Sequence, residues 1–269
     1  MNSGCAREGP EVIRLPQFWD IIARRSKKLL ALDYDGTLAP FRTDRMEALP
    51  LDGIMDLLLA ISLRRDTDVA IVSGRPLGDL ERMLDTWKGI LIGSHGFEKR
   101  YSSGTVVRQE PAPLQKEGLA MAYETALRKG LARFIETKPA SVALHTREIE
   151  QGKARVIEKD IYSQWDSLTS GYSLEIRNFN RGVEVLARGC NKGDAVEELL
   201  GEEPPGTFPV YIGDDTTDED VFEWIRTTGV GIRVGDPSLP TAASGFLSDV
   251  AAVREFLVKW STLPEDTER

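Results

Sequence analysis

The sequence predicts an α/β protein with a parallel-sheet core and an inserted α+β cap domain. Two observations predict the core: short apolar runs alternate with helical patterns in the first part of the chain, and each run ends in polar or glycine-rich residues. That alternation is typical of βαβ units. A third observation predicts the cap, because the middle of the chain breaks this rhythm and two strands follow each other across a short turn. Together they indicate a Rossmann-like core interrupted by a second unit.

The core elements are predicted from the apolar runs in chain order. Its first half comprises strands at residues 29–32, 69–72 and 90–92, with a helix near 51–63. Its second half comprises a helix at 192–200, a strand at 209–212, a helix beginning near Asp218, a strand at 230–234 and a helix around 250–260. In open α/β sheets, ligands bind at the carboxyl ends of the strands, so the polar segments after these strands are expected to meet in one crevice.

The cap is predicted between the two halves of the core. A helical stretch around 114–134 precedes a strand at 141–145, and a second helix spans the apolar positions 154–168 and is expected to end at Gly171. Strands at 172–179 and 182–186 flank a turn at Asn180-Arg181. We therefore predict a core formed by residues 1–102 and 188–269, and an inserted cap at 103–187.

Composition limits the classes of partner. The chain has 269 residues, of which 41% are hydrophobic, and its net charge is -9. This negative charge argues against binding to nucleic acids or anionic membranes, because both would repel the protein. A small anionic substrate remains possible in a local basic site. Cys5 and Cys190 are too few and too far apart for a disulfide framework or a structural zinc site. Residues 1–20 contain no apolar stretch typical of a signal peptide or membrane span. A cytoplasmic protein is the expectation.

Two acidic segments follow predicted core strands. The first is Asp33-Tyr34-Asp35-Gly36-Thr37, and the second runs from Gly213 through Asp214, Asp215 and Asp218. Carboxylate oxygens are the ligands that Mg²⁺ prefers, so the two segments together could hold this cation. The alternatives are a polar turn that caps a helix and a solvated helix N-terminus, where acidic residues interact favourably with the helix dipole.

Two further segments supply donors for anionic oxygens. Ser73 ends one predicted strand, and Lys192 begins a helix after Asn191. A hydroxyl, an ammonium and helix N–H groups are the donors that a phosphoryl group needs. Each alone is more often a cap or an exposed side chain, so the prediction depends on the combination of all four segments.

The four segments resemble the motifs of the haloacid dehalogenase superfamily of phosphohydrolases. The resemblance implies that Asp33 attacks phosphorus and becomes an aspartyl phosphate, while Asp35 protonates the leaving group and later deprotonates water. It also implies that Asp33, Asp214 and the backbone carbonyl of Asp35 bind Mg²⁺, with Asp215 and Asp218 beside them. Ser73 and Lys192 then contact the phosphoryl oxygens. A signalling receiver domain also combines these residue types, but it would leave the cap unexplained.

A more specific resemblance, to the trehalose-6-phosphate phosphatase family, covers nearly the whole chain. It is carried by segments 93–98, 136–138, 141–145, 191–193 and 211–221 and by the tail segment 241–250. It implies a phosphosugar substrate, with Glu136, Lys138 and Glu184 of the cap holding the distal glucose, and a functional link to a trehalose-6-phosphate synthase. The other residues expected at the substrate are Thr37, Arg75, His95 and Gly96. Sucrose phosphate and mannosyl-3-phosphoglycerate remain alternative substrates, and without the resemblance Glu136 and Lys138 would be read as a solvated strand edge.

Overall fold

Two β-sheets organise the protein. The computed structural model describes residues 15–264, and within them the strands form an eight-stranded sheet of order β12-β11-β10-β1-β2-β3-β4-β5 and a four-stranded sheet of order β6-β7-β9-β8. We call the unit built on the first sheet the core and that built on the second the cap. The strands are β1 (Lys28–Leu32), β2 (Thr67–Val72), β3 (Ile90–Gly93), β4 (Glu98–Arg100), β5 (Val106–Arg108), β6 (Ile135–Lys138), β7 (Ser141–His145), β8 (Leu174–Phe179), β9 (Gly182–Ala187), β10 (Phe208–Gly213), β11 (Val230–Val234) and β12 (Gly245–Leu247).

Helices cover both faces of the core sheet. They are α1 (Leu15–Ala23), α2 (Ile54–Ser62), α3 (Leu77–Met83), α4 (Pro113–Arg128), α5 (Gln151–Tyr172), α6 (Lys192–Glu202), α7 (Glu219–Ile225) and α8 (Val250–Ser261), of which α4 and α5 belong to the cap. The central strand β1 is buried along its whole length. Leu30 and Leu32 join the apolar cluster on one face, whereas Leu29 and Ala31 join the cluster on the other. Alternate side chains of β1 thus serve two cores, which explains its continuous apolar run.

The parallel part of the core sheet confirms the α/β prediction. Strands β12, β11, β10, β1, β2 and β3 pair in parallel, whereas β4 and β5 add an antiparallel edge. This order places the carboxyl ends of β1, β2 and β10 side by side at the centre of the sheet. The segments that follow these three strands contain most of the residues that the sequence predicts to be functional.

The cap packs α4 and α5 against its antiparallel sheet. Trp165 is fully buried there, and its Nε1 donates to the carbonyl of Ala122 at 3.0 Å. The helix α4 ends at Arg128, earlier than predicted, because Gly130 takes a positive φ of 74°. Gly171 does not end α5: the helix continues to Tyr172, and Ser173 closes it at a φ of 53°.

The structure also contains elements that the apolar pattern did not predict: α1, α3, β4, β5 and β12. Four of these five have seven residues or fewer, too short to show a clear period. Cys190 is a buried free thiol, whereas Cys5 lies outside the described residues. The helices among residues 15–264 all lack the length and apolarity that crossing a membrane requires.

The chain enters and leaves the cap at neighbouring points. Gln115, in the first turn of α4, donates from Nε2 to the carbonyl of Arg188 at 2.7 Å and to that of Ser173 at 3.0 Å. Arg188 follows the last cap strand, β9, and its own N–H donates to the same Ser173 carbonyl at 3.0 Å. These hydrogen bonds hold the two connections together at the base of the cap. The exact domain boundaries stay a prediction.

Candidate active site

A cavity between the core and the cap collects most of the predicted functional residues. Its core side is formed by the start of α6 and by segments that follow β1, β2, β3 and β10, and its cap side by β6, β7, β8, β9 and their turns. The lining residues are Asp33, Asp35, Phe41, Arg45, Ser73, Gly74, Arg75, His95, Glu136, Lys138, His145, Arg147, Phe179, Asn180, Glu184, Lys192, Asp214, Asp215 and Thr217. One end is therefore acidic and belongs to the core, and the other is a polar surface of the cap.

Lys192 connects the acidic groups at the core end. Its Nζ lies 2.7 Å from Oδ1 of Asp33 and 2.8 Å from Oδ1 of Asp218, and all three side chains are buried. Burial alone would lower the pKa of Lys192, but Asp218 and Asp33 together raise it above its usual value. The two carboxylates therefore favour the protonated form of Lys192, which is the first residue of α6.

Three carboxylates at this end could hold a divalent cation. Asp33, Asp214 and Asp218 each bring one oxygen to within 4.8 Å of the others. Oδ1 of Asp214 is buried and accepts no hydrogen bond from the described residues. Burial and the charges of Asp33 and Asp218 raise the pKa of Asp214 well above its usual value. A hard cation would satisfy this oxygen and offset the repulsion, so the donor set fits Mg²⁺.

The loop after β10 is fixed by Asp218. Its Oδ2 accepts the backbone N–H groups of Asp214 and Asp215, both at 2.9 Å, and its Oδ1 accepts the hydroxyl of Tyr211 at 2.6 Å. Gly36 packs against this loop, because a Cβ at that position would lie 2.2 Å from Oδ2 of Asp214. The two acidic segments can therefore approach closely only with glycine at position 36.

Asp35, the second carboxylate of the first acidic segment, pairs with Arg75. Nε and Nη2 of Arg75 each lie 2.6 Å from one oxygen of Asp35. The backbone N–H of Arg75 donates to the hydroxyl of Ser73 at 3.1 Å. Arg75 therefore orients the second carboxylate of the first acidic segment while the turn after β2 orients Ser73.

A strained turn after β3 positions His95. Ser94 and His95 have positive φ values of 50° and 57°, which non-glycine residues adopt at a cost. Glu98 stabilises this turn, since its Oε2 accepts the hydroxyl of Ser94 at 2.8 Å and the N–H of Leu77 at 3.0 Å. Gly74 lies under the ring of His95, where a Cβ would lie 2.5 Å from Cε1. His95 Nε2 is thereby directed at Oε2 of Glu184, 3.1 Å away in the cap.

Glu184 and Glu136 are the acidic groups of the cap end. Oε1 of Glu184 accepts hydrogen bonds from Nζ of Lys138 at 2.8 Å and from the hydroxyl of Ser141 at 2.5 Å. Burial would raise the pKa of Glu184, but Lys138 and His95 lower it well below its usual value. Burial likewise opposes ionisation of Glu136, yet His145, Lys138 and Arg45 bring its pKa down to about 2. Both carboxylates are therefore ionised acceptors, suited to hydroxyl groups.

The structure brings together eleven of the fourteen residues predicted to be functional, and the other three lie behind the cavity wall. Asp218 is fully buried behind the acidic end, and Thr37 is buried with no partner for its hydroxyl among the described residues. Gly96 packs against Cys190, where a Cβ would lie 2.6 Å from Sγ. Eight lining residues were not predicted as site residues: Phe41, Arg45, Gly74, His145, Arg147, Phe179, Asn180 and Thr217. His145 had one usable signal, its position at the end of a strand.

A family model and several relatives identify the family of the chain. The family model for trehalose-phosphatase matches residues 31–250. A probable trehalose-phosphate phosphatase of Sinorhizobium fredii is 31% identical over 240 residues, which cover 87% of this chain and 88% of that protein. A bifunctional trehalose-6-phosphate synthase/phosphatase of Thermoproteus tenax is 29% identical over 239 residues, which cover 87% of this chain and 32% of that protein.

A solved structure shares the fold along almost the whole chain. The C-terminal domain of C. albicans trehalose-6-phosphate phosphatase matches with a TM-score of 0.85 and 22% identity, covering 96% of this chain and 100% of that one. Haloacid dehalogenase-like hydrolases match the fold as well, for example one from Bacteroides thetaiotaomicron with a TM-score of 0.62 and 17% identity, covering 87% of this chain and 99% of that one. The chain spans 32%, 31% and 16% of the length of the first three curated relatives that it matches.

Proposed function

The chain belongs to the trehalose-phosphatase family, and we propose that it is a magnesium-dependent phosphatase that hydrolyses trehalose 6-phosphate to trehalose and phosphate. The observation that carries this proposal is the pairing of Lys192 with Asp33 at 2.7 Å, beside an acidic cluster and opposite a polar cap surface. Phosphate chemistry and sugar recognition then belong to opposite ends of one cavity.

Asp33 is the proposed nucleophile. One of its carboxylate oxygens forms a bond to phosphorus while the bond from phosphorus to the sugar oxygen breaks, which gives an aspartyl phosphate and splits hydrolysis into two displacements. The ammonium of Lys192 and the hydroxyl of Ser73 contact the phosphoryl oxygens during transfer. Because Lys192 already contacts Asp33, it holds the nucleophile and the transferred group at the same point.

Asp35 is the proposed acid and base. It donates its proton to the departing sugar oxygen in the first step and takes a proton from water in the second, when water attacks the aspartyl phosphate. Its bidentate pairing with Arg75 fixes the ionised carboxylate, which is the form that takes the proton from water, without using the metal-binding groups.

Mg²⁺ is the proposed cofactor, held by Asp33, Asp214 and the backbone carbonyl of Asp35. When bound there, it supplies positive charge that offsets the charge on the phosphoryl oxygens. The unpartnered Oδ1 of Asp214 supports the assignment. Asp218, with its two backbone contacts, and Asp215, which accepts the N–H of Thr216 at 2.7 Å, are proposed to orient the loop that carries Asp214.

The cap end is proposed to bind the distal glucose. Glu136, Lys138 and Glu184 line this end, and ionised carboxylates with an ammonium between them match the hydroxyl groups of a sugar. His95 is proposed to shape this surface through its contact with Glu184. Arg75 lines the cavity wall, whereas Thr37 and Gly96 are proposed to act indirectly by supporting the loops.

We further propose that the cap closes when the substrate bridges the two ends, since sugar and phosphate contacts are satisfied together only then. The contacts between the units in this structure support a closed form: Arg177 pairs with Asp220 at 2.5 Å, and Thr216 donates to the carbonyl of Asn178 at 3.1 Å. Solution scattering with and without trehalose plus a phosphate mimic tests this. Unchanged compactness would count against closure.

The decisive experiment compares wild type with Asp33→Asn for phosphate release from trehalose 6-phosphate, with and without Mg²⁺. An amide is nearly isosteric with the carboxylate but a poor nucleophile, so turnover should be lost while the fold remains. Near wild-type turnover in the substituted protein would rule out the covalent step.

Substrate choice is tested on the same protein with a panel of phosphosugars that includes sucrose phosphate and mannosyl-3-phosphoglycerate. We expect kcat/KM to be highest for trehalose 6-phosphate. A synthase is the proposed source of this substrate, a suggestion supported by the Thermoproteus tenax relative, which is named as both synthase and phosphatase.

A further inference from the structure

We propose that Arg45 is a positioning residue that holds the Glu136 carboxylate in the orientation that receives a sugar hydroxyl, and that it does so only while the cap lies against the core. The choice of substrate in this inference rests on the proposed function. The contact itself does not, because it is a property of the folded chain.

Arg45 reaches from the core to the cap. It begins a short 3₁₀ turn, Arg45–Glu47, between β1 and α2, and its Nη1 forms an ion pair with Oε1 of Glu136 in β6. Its Nη2 lies 3.4 Å from Oδ2 of Asp79 in α3. A planar guanidinium can address two carboxylates at once, so Arg45 ties a cap acid to a core acid.

Glu136 depends on this contact for its orientation. It lies in β6, the edge strand of the cap sheet, so only β7 supports it within the sheet. Its Oε2 contacts Nε2 of His145 at 2.8 Å, and Arg45 takes the other oxygen. The His145 contact on one oxygen and the Arg45 ion pair on the other restrict rotation of the carboxylate. Loss of Arg45 frees one oxygen and allows the carboxylate to rotate.

Position and exposure suit this role. Arg45 lines the cavity and is one-third exposed, whereas Glu136 is buried. On the far side of Asp79, Arg82 pairs with the same acid but is 71% exposed and does not line the cavity. The two arginines therefore share a partner and differ in whether they reach Glu136, which makes Arg82 a matched control.

The test measures phosphate release from trehalose 6-phosphate and from p-nitrophenyl phosphate, which carries no sugar. Arg45→Ala should raise KM for the sugar ester about tenfold, the effect of roughly 1.4 kcal/mol, with a much smaller change in kcat. The loss in kcat/KM should be clearly smaller for p-nitrophenyl phosphate. Arg45→Lys should restore part of the affinity, and Arg82→Ala should leave both substrates unaffected.

A double-mutant cycle identifies Glu136 as the group through which Arg45 acts. Adding Arg45→Ala to Glu136→Gln should raise KM by no more than about twofold beyond the single Glu136→Gln, since the second change removes a contact already lost. If KM in the double variant rose by the product of the two single-variant increases, the inference would be overturned. An unchanged KM in Arg45→Ala would also overturn it.

A measurement without turnover separates this inference from the proposed function. Hydrogen exchange of the β6 amides should be faster in Arg45→Ala than in wild type and Arg82→Ala, because the edge strand loses its core contact. If wild type releases no phosphate from trehalose 6-phosphate, the proposed function fails. The hydrogen-exchange comparison then tests by itself whether Arg45 holds β6. Equal β6 exchange in all three proteins would overturn the inference.

Discussion

Lys192 and Asp33 are 159 positions apart in the chain, yet their side chains meet at 2.7 Å in a buried pair. The relationship follows from the sheet, because β1 ends at Leu32 and α6 begins at Lys192, beside the centre of the same edge. Removing Lys192 leaves Asp33 and Asp218 buried without their shared positive partner, which costs about 3–5 kcal/mol in typical proteins.

Lys192→Met should reduce kcat for phosphate release by about 100-fold or more, in the range for loss of one preorganised donor. The physical reason is that the ammonium of Lys192, which lies 2.7 Å from Asp33, would no longer offset the phosphoryl charge together with Mg²⁺. Steady-state kinetics measure the effect, and circular dichroism checks the fold. Lys99→Met is the control, since Lys99 is also a buried lysine but pairs with Glu198 outside the cavity. Equal losses in the two variants would contradict the assignment.

Removal of divalent cations with EDTA should abolish turnover, and added Mg²⁺ should restore it. Asp214→Asn should then need about 10–100 times more Mg²⁺ for half-maximal rate, because an amide is a weaker ligand than a carboxylate. A Mg²⁺ titration of the rate measures this shift. Asp236→Asn changes an exposed aspartate of the core and should leave the titration unchanged. Full activity in EDTA would contradict the proposed cofactor.

Gly74→Ala should displace His95 and weaken its contact with Glu184, since the new Cβ would lie 2.5 Å from the ring. We expect KM for trehalose 6-phosphate to rise about tenfold, which corresponds to roughly 1.4 kcal/mol of lost binding. Gly78→Ala is the matched control, because a Cβ there meets nothing within 4 Å. Identical kinetics for the two variants would show that the close approach of Gly74 to His95 has no role in binding.

Asp66→Asn should destabilise the fold by about 3 kcal/mol, because Lys28 is then left buried without a charged partner. Asp68→Asn is the control: its pair with Lys27 lies at the surface, where an ion pair contributes roughly 0–1 kcal/mol. Urea unfolding at neutral pH measures both changes. A loss for Asp66→Asn no larger than that for Asp68→Asn would contradict the prediction.

The contribution of Asp66 to the free energy of unfolding should also depend on pH. Burial opposes its ionisation, but hydrogen bonds from Arg64 and Lys28 lower the pKa of Asp66 in the folded protein. Protonation therefore favours the unfolded chain. The stabilisation is fully present above the ordinary aspartate pKa of about 4 and is lost as pH falls through the lowered folded value. The difference in unfolding free energy between wild type and Asp66→Asn should shrink over that acidic range, and a constant difference would contradict the assignment.

The core end of the site was predictable because topology alone brings its parts together. Asp33, Ser73 and Asp214 directly follow or end parallel strands, and parallel strands present their carboxyl ends at one edge. Lys192 was predictable for a similar reason, as the first residue of a helix that returns to this edge. Strand periodicity and the motif spacing therefore contained the information needed.

The cap end was predictable only in part. Arg45 lies in a short turn between core elements, and nothing in its local pattern indicates that it crosses to β6. His145 ends a predicted strand, but its contact with Glu136 follows from the antiparallel pairing of β6 with β7. These contacts depend on how one sheet docks on the other, and hydrophobic periodicity does not encode docking.

The hydrogen bonds of Gln115 to Ser173 and Arg188 have a consequence for how such a molecule could diversify. The two chain connections between the core and the cap are joined by these hydrogen bonds at one place. The cap is therefore a single insertion that leaves the rest of the core sheet uninterrupted. Replacing the cap would change which phosphate ester the protein binds, while the hydrolytic residues of the core would keep their geometry.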